Sequence, residues 1–505
     1  MSLINISHLT FAYEGSYDNI FTNVSFQIDT SWKLGFCGRN GRGKTTFLKL
    51  LTGQYGYSGT ITASVEFEYF PYDVADPSQN TLDILSAVTP DTFLWQIQKE
   101  LSKLDVDENV LYRPFSTLSD GEQTKVLLSG LFLRKNSFLL IDEPTNHLDM
   151  AAREIVARYL NSKTGFILVS HDRVFLDACV NYILSINKAN IEIQRGNFSS
   201  WFHNKQLQDN YELSKNESLK KEIKRLTATA REKAGWSDRV EATKIGTHQA
   251  DRGYIGHLAA RMMKRSKSIE QRMEREIEEK SKLLKNIESA ETLKIHPLTY
   301  HSSRLLSLEN VTVAYGGRDI LRDISFSVTQ GDRMALLGGN GSGKSSLLKL
   351  ICGEDIPHSG NVYVASGLVI AYVPQDTSFL TGDLVSFAAE QRVDVTLFKT
   401  ILRKLDFSRI QFEKDMRDFS AGQKKKALMA CSLCKRAHLY VWDEPLNYID
   451  VISRVQIEEL ILDYKPTLLF VEHDRAFCNN IATQSLELSS AGYVIAVAKR
   501  SSGQI

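Results

Sequence analysis

Two short stretches of this chain, GRNGRGKTT at Gly38–Thr46 and GGNGSGKSS at Gly338–Ser346, have the makings of an anion cradle. Gly38, Gly41 and Gly43 in one, and Gly338, Gly341 and Gly343 in the other, let backbone N–H groups close around phosphate oxygens. A helix that starts there adds the positive end of its dipole. Lys44 and Lys344 would neutralise the β- and γ-phosphates, and Thr45 and Ser345 are placed to coordinate Mg2+. Asn40, Thr46, Asn340 and Ser346 complete the two loops. Further along, the apolar runs FLLI and LYVW lead into Asp142–Glu143 and Asp443–Glu444. Each run reads as a buried strand ending in two acids: the aspartate can hold Mg2+ through water, and the glutamate can polarise an attacking water. His171 and His473 follow the apolar strands GFILVS and TLLFVE, where they would sense the γ-phosphate. The chemistry such a set could do is hydrolysis of a nucleoside triphosphate. The competing readings are an empty glycine turn, a solvated pair of acids and a structural histidine. Recurrence of the set in one order argues against all three.

The elements that must position these residues are also written twice. LTFAYEG near the start returns as VTVAYGG at Val311–Gly317, and LSDGEQTK at Leu118–Lys125 returns as FSAGQKKK at Phe419–Lys426. FLLIDEPTNHLD at Phe138–Asp149 returns as LYVWDEPLNYID at Leu439–Asp450, and VSHDR at Val169–Arg173 as VEHDR at Val471–Arg475. Motifs recurring in order at a near-constant offset mean two homologous domains. Each glycine loop runs apolar strand, loop, amphipathic helix (LGFCGRNGRGKTTFLKLL and ALLGGNGSGKSSLLKLI), so the expected class is α/β.

Between the copies the text changes. No proline occurs between Pro144 and Pro297, and from Asn204 to Glu291 the chain is dense in Lys, Glu, Leu, Ala and Arg. Leu219, Ile223, Leu226 and Ala230 repeat at the spacing of a coiled-coil seam. Met262, Ile269, Met273, Ile277, Leu284 and Ile287 would supply the partner seam. The glycines between Gly235 and Gly256 break the pattern, so the expectation is a long antiparallel helical hairpin with an irregular tip near 235–256. The expected domains are 1–202, the linker 203–298, and 299–505.

The formal net charge of the whole chain is +1, but Lys205–Lys285 holds 20 Lys/Arg against 13 Asp/Glu. The local excess points to an anionic partner at the linker. No stretch is apolar enough for a membrane helix, and the first residues lack the look of a secretion signal. The six cysteines are scattered in apolar surroundings, as reduced thiols are, and the cytosol is the expected compartment. Cys431 and Cys434 form a CxxC with no second pair to complete a zinc set. Two core residues one helical turn apart is the simpler reading.

LSDGEQ and FSAGQ resemble the signature of the ATP-binding-cassette family, and the resemblance covers roughly Ser2–Trp201 and Leu305–Ile505. It implies a head-to-tail sandwich within one monomer, with two ATP molecules between the copies. Ser119 and Gly121 would then meet the ATP held by Lys344, and Ser420 and Gly422 the one held by Lys44. Asp149 and Asp450 would be the D-loops crossing that interface. Tyr13 and Tyr315 match the aromatic that stacks on adenine, with core packing as the alternative. Gln375 in YVPQD matches the glutamine that contacts Mg2+, whereas the first copy has Tyr72 in its place. Both glutamates are present, so two hydrolysable sites of unequal rate are expected.

Fused cassettes with a basic helical linker resemble the ABC-F translation factors, whose linker reaches from the ribosomal E site toward the peptidyl transferase centre. The chain has no inserted arm between Tyr72 and Ser119, and 32 residues follow His473. In this it is similar to the Lsa-type resistance members, which protect against lincosamides, streptogramin A and pleuromutilins. The implied partners are 23S rRNA, peptidyl-tRNA and large-subunit proteins near the E site, with no membrane and no DNA. Candidate contacts on the linker are Lys220, Lys224, Arg225, Arg231 and Lys244, with Arg261, Lys264, Arg265 and Lys267 beyond the tip. Trp236, His248 and Tyr254 offer flat faces to unstacked bases. A solvated charged coiled coil is the alternative for this stretch. A housekeeping translation factor, the fused ATPase subunit of a membrane importer and a DNA-repair ATPase are alternatives for the whole chain.

Overall fold

The computed structural model describes residues 2–14, 19–146, 148–186, 191–242, 293–489 and 493–499, with His257, Arg261, Lys264, Ser268, Arg272 and Arg275 between them. Each copy builds a six-stranded sheet. In the first copy its order is Glu66–Phe70, Ser137–Asp142, Phe166–Val169, Lys33–Cys37, Tyr182–Ile186, Ile191–Arg195. In the second it is Ile370–Val373, Leu439–Asp443, Leu468–Val471, Arg333–Gly338, Gln484–Leu488, Val494–Lys499. Pairing is parallel except at the last strand, which returns antiparallel. The central strands read as unbroken apolar runs because both their faces are covered. A three-stranded antiparallel sheet accompanies each: Leu3–Phe11 between Phe21–Asp29 and Ser58–Thr62, and Arg304–Tyr315 between Arg318–Thr329 and His358–Val364.

The helix after each glycine loop, Lys44–Leu51 or Lys344–Ile351, buries Phe47, Leu48 and Leu50, or Leu347, Leu348 and Leu350, in the core shared by the two sheets. That burial fixes where the loop stands. Gly43 and Gly343 cap these helices at φ 91° and 88°, a left-handed backbone that disfavours side chains. A Cβ on Gly43 would also meet Ile20 at 2.5 Å, so the position has room for glycine alone.

The signature motifs open the helices Asp120–Leu133 and Ala421–Cys434, each with a capping box, Ser119 with Glu122 and Ser420 with Gln423. Cys431 and Cys434 lie one turn apart in the second of these, and all six cysteines are free.

The chain divides into two compact units, Met1–Trp201 with Ala290–Ile505, and Phe202–Ser289. The linker end expected at 298 falls inside the first unit, because Leu293 and Ile295 are 4% and 1% exposed in the core of the second copy. A single helix runs Phe198–Ala242. It begins before the expected boundary and continues through Gly235, where the tip was expected to start. One interior glycine costs a helix about 1 kcal/mol, too little to end a run rich in Ala, Glu, Lys and Arg. Along it Leu219, Ile223 and Leu226 are half-buried, while Lys220, Lys224 and Arg225 are exposed. Arg231 and Trp236 lie in the same helix, and Arg261 and Lys264 are exposed helical residues. Lys244, His248, Tyr254, Arg265, Lys267 and the expected partner seam lie outside the described residues. Among the described residues no helix is long and apolar enough to cross a membrane.

Candidate functional site

Two cavities, each of about 460–490 Å³, lie between the copies, and each draws residues from both. The first is lined by Tyr13, Asn40, Gly41, Gly43, Lys44, Thr45, Thr46, Asp142, Glu143 and His171 of the first copy, and closed by Ser420, Gly422 and Tyr448 of the second. The second is lined by Tyr315, Asn340, Gly341, Gly343, Lys344, Ser345, Ser346, Gln375, Glu444 and His473, and closed by Asp120, Asn146 and Leu148. The size suits a nucleotide. Residues about 300 positions apart in sequence thus meet because the copies pack head to tail.

The loop lysines are buried, and burial lowers the pKa of both. Lys44 Nζ donates to the carbonyls of Gly38 (2.8 Å) and Arg39 (3.2 Å), and Lys344 Nζ to those of Gly338 (2.9 Å) and Gly339 (2.7 Å). Each ammonium is held at the mouth of its loop, where a phosphate would be met. Tyr13 and Tyr315 are 43% and 44% exposed, so core packing does not account for them. Their hydroxyls hydrogen-bond the loop residues Thr46 (2.7 Å) and Ser346 (3.3 Å), which holds each ring at the cavity wall.

Asp142 Oδ2 accepts from Thr45 Oγ1 at 2.8 Å and from the Tyr69 hydroxyl at 2.9 Å. Asp443 is buried, and neither carboxylate oxygen accepts an aligned hydrogen bond. Burial pushes its pKa up, and the neighbouring Ser345 hydroxyl pulls the other way. A buried carboxylate without an aligned donor is what a cation would satisfy. Among the described residues no three His, Cys, Asp or Glu side chains cluster into a self-sufficient metal site. One carboxylate and one hydroxyl per loop therefore suit Mg2+, which takes its other ligands from phosphate oxygens and water.

The glutamates show how far the two cavities differ. Both adopt left-handed backbones, φ 52° at Glu143 and 46° at Glu444, a conformation that costs a non-glycine residue on the order of 1 kcal/mol. Each faces its histidine, His171 Nε2 at 3.3 Å from Glu143 Oε1 and His473 Nε2 at 3.4 Å from Glu444 Oε1. Glu444 Oε2 also accepts from Gln375 Nε2 (3.0 Å) and Asn447 Nδ2 (2.5 Å). Neither oxygen of Glu143 accepts an aligned hydrogen bond. Burial and the adjacent Asp142 push the Glu143 pKa up to about 7. Burial also opposes ionisation of Glu444, but the His473 and Gln375 contacts outweigh it and its pKa falls below the ordinary value. The cause is Tyr72. Its side chain turns away under the signature helix, where a methyl on Gly130 would come within 3.3 Å of its hydroxyl. That hydroxyl is buried with no hydrogen-bond partner.

The signature serines also differ. Ser420 lines the first cavity, whereas Ser119 hydrogen-bonds Glu122 at 2.8 Å and the next residue, Asp120, lines the second. Gly121 follows in the first turn of its helix. Asp450 is buried, paired with Lys426 at 2.7 Å, while Asp149 stands 3.5 Å from where a Cβ on Gly339 would lie.

Other contacts at these cavities were not legible in the sequence. Asn40 Nδ2 donates to the Tyr448 carbonyl of the other copy at 2.8 Å. Arg39 and Arg42 of the first loop face Asp406 of the second copy at 3.7 and 3.4 Å. The matching loop positions, Gly339 and Ser342, carry no charge. The difference between the two loops was the available signal.

A model of the family described as ABC transporter matches residues 21–146 and 321–447, together half of the chain. The chain is 28% identical over 508 residues to the ribosome protection protein VmlR of Bacillus subtilis (strain 168), covering 97% of this chain and 87% of that one. It is 25% identical to the energy-dependent translational throttle protein EttA of Haemophilus influenzae, covering 94% and 90%. Among solved structures, the complex of archaeal ribosomal stalk protein aP1 with the archaeal ribosome recycling factor aABCE1 aligns with a TM-score of 0.64 at 17% identity, over 97% of this chain and 90% of that one. That likeness supports the fold. With the family model matched once in each copy, the chain belongs to the ABC transporter family, as an ATP-hydrolysing member with both of its cassettes in one polypeptide.

Proposed function

We propose that this chain is a cytosolic ABC-F protein that binds the ribosomal E site in its ATP-bound state and uses its linker near the peptidyl transferase centre. In this reading it protects against antibiotics of the lincosamide, streptogramin A and pleuromutilin type. The observation that carries the proposal is the pair of nucleotide cavities, each closed by the other copy, in a chain whose inter-cassette segment is basic. ATP bound at such a cavity touches both copies, so binding joins them and hydrolysis releases them. The likeness to VmlR, a ribosome protection protein, and to EttA, a translational throttle protein, supports the ribosome as the partner.

At each site the loop N–H groups and Lys44 or Lys344 would hold the phosphates, and Tyr13 or Tyr315 the adenine. Thr45 with Asp142, and Ser345 with Asp443 and Gln375, would hold Mg2+, which when bound neutralises charge developing on the phosphates. Glu143 and Glu444 would orient and deprotonate the attacking water, and His171 and His473 would meet the γ-phosphate. Exposed Lys220, Lys224, Arg225, Arg261 and Lys264 would track rRNA or tRNA phosphates. Arg231, Trp236, Lys244, Tyr254, Arg265 and Lys267 belong to the same proposal.

The test is expression of the Glu143→Gln/Glu444→Gln protein, followed by sedimentation with ribosomes and with membranes. Retention on ribosomes that depends on ATP is expected. A protein that sediments with membranes, or leaves ribosomes as fast as the unaltered chain, contradicts the proposal. Raised drug tolerance on expressing the unaltered chain in a sensitive host separates resistance from a housekeeping role.

A further inference from the structure

The signature helix Ala421–Cys434 carries a lysine, Lys425, that none of the chemistry above uses. It is 2% exposed, yet its side chain is not idle. Nζ donates to the carbonyls of Pro374 (2.8 Å), Gln375 (3.2 Å) and Asp443 (3.1 Å). These carbonyls belong to the segment that presents the Gln375 amide to Glu444 and to the strand end that presents Asp443. A buried ammonium with three such acceptors is fully satisfied, and removing it leaves three carbonyls without their donor. The other end of the same helix serves the other nucleotide. Ser420 caps it and lines the first cavity, and a Cβ on Gly422 would lie 3.2 Å from Asn40 Nδ2 of the first loop. At the matching position of the first copy stands Thr124, whose hydroxyl sits on Cβ and lacks the reach of a lysine. There the chain instead packs Tyr72 under the signature helix beside Gly130.

We infer that Lys425 is a positioning residue that ties the signature helix closing over the first ATP to the Gln375–Glu444 pair that hydrolyses the second. The tie is present in one copy only, because the first copy carries Thr124 where the second carries Lys425. When the helix Ala421–Cys434 docks on the first site, Lys425 holds the Gln375 backbone where its amide reaches Glu444. If that docking is lost, the second glutamate loses a donor and comes to resemble Glu143. The inference rests on the proposed roles of Glu143 and Glu444.

The experiment is Lys425→Met in two backgrounds. In Glu143→Gln the second site alone turns over, and in Glu444→Gln the first alone. Lys425→Met is expected to lower kcat about ten-fold in the Glu143→Gln background, with KM for ATP within about two-fold, because the amine orients a reacting group and touches no nucleotide. The loss in the Glu444→Gln background is expected to be several-fold smaller. Lys425→Arg, which keeps a cationic donor, should recover much of the loss. Equal losses in both backgrounds, or a rise in KM without a fall in kcat, would overturn the inference and make Lys425 a packing residue. If Lys425→Met does not fold, Lys425→Gln is measured against the same criterion. The doubly substituted Glu143→Gln/Glu444→Gln protein guards the premise: full turnover in it would remove the glutamate assignment, and the inference with it.

Discussion

At the second nucleotide site the glutamate carboxylate accepts hydrogen bonds from Gln375 and Asn447, with His473 within ion-pair distance. At the first, Glu143 has His171 within ion-pair distance and no aligned donor. The strands, loops and left-handed turns that deliver the two groups are the same. Two donors differ, the Gln375 amide, replaced by Tyr72 in the first copy, and the Asn447 amide, whose counterpart Asn146 lines the other cavity, and the consequence is electrostatic. A buried carboxylate without donors resists ionisation, and one with donors does not. The first site has compensations elsewhere. Arg39 and Arg42 face Asp406 across the interface, and Ser420 rather than a neighbour lines the cavity. The partly exposed Arg42 pair contributes at most about 1 kcal/mol, but the nearly buried Arg39 adds packing. On the proposed roles of the two glutamates, the second site would be the faster to hydrolyse ATP.

The largest expected effect removes both sites at once. Glu143→Gln/Glu444→Gln keeps size and hydrogen bonding but deletes both carboxylates, so steady-state ATP turnover should fall roughly 100-fold or more. Phosphate release measured against ATP concentration would show it, and a protein that keeps a tenth of its activity would mean the water is activated elsewhere.

A smaller effect follows from pH. Glu143 is competent as a base when ionised. With its pKa near 7, the ionised fraction falls as pH drops from 7 to 6, by about five-fold. The Glu444→Gln protein, which relies on Glu143, should lose about that much kcat/KM over this interval. The Glu143→Gln protein relies on Glu444, whose pKa lies below the ordinary carboxylate value, so it should lose little. Parallel pH profiles for the two would refute the electrostatic difference.

The smallest effect tests its cause. Tyr72→Gln in the Glu444→Gln background should raise first-site turnover about three-fold, if the amide reaches Glu143 as Gln375 reaches Glu444. The gain is capped because the signature-helix packing that Tyr72 makes beside Gly130 is lost. A fall in turnover, with melting temperature unchanged, would show that Tyr72 is needed where it stands.

Much of this was legible in the sequence, for reasons that are themselves physical. A glycine loop followed by Lys and a hydroxyl needs one backbone path, and an apolar run ending in Asp–Glu needs one strand position. Both therefore survive as text. The unequal sites were also legible, because Tyr72 and Gln375 occupy matching positions. Gly235 was misleading, since a breaker is weak inside a strong helical context. The linker end was misplaced because the residue types of Leu293 and Ile295 do not show that they are buried in the core of the second copy. Lys425 and Asp406 were invisible for another reason. Lysine in a signature helix and aspartate after Leu405 look like surface residues, and what they touch is set by packing between distant parts of the chain.

The most direct test of the inequality is to compare the two single variants, Glu143→Gln and Glu444→Gln, in steady-state ATP turnover at neutral pH. Glu143→Gln should retain most of the activity, and Glu444→Gln should lose at least five-fold, because the second site carries the pre-organised carboxylate. Equal losses, or a deeper loss from Glu143→Gln, would contradict the account.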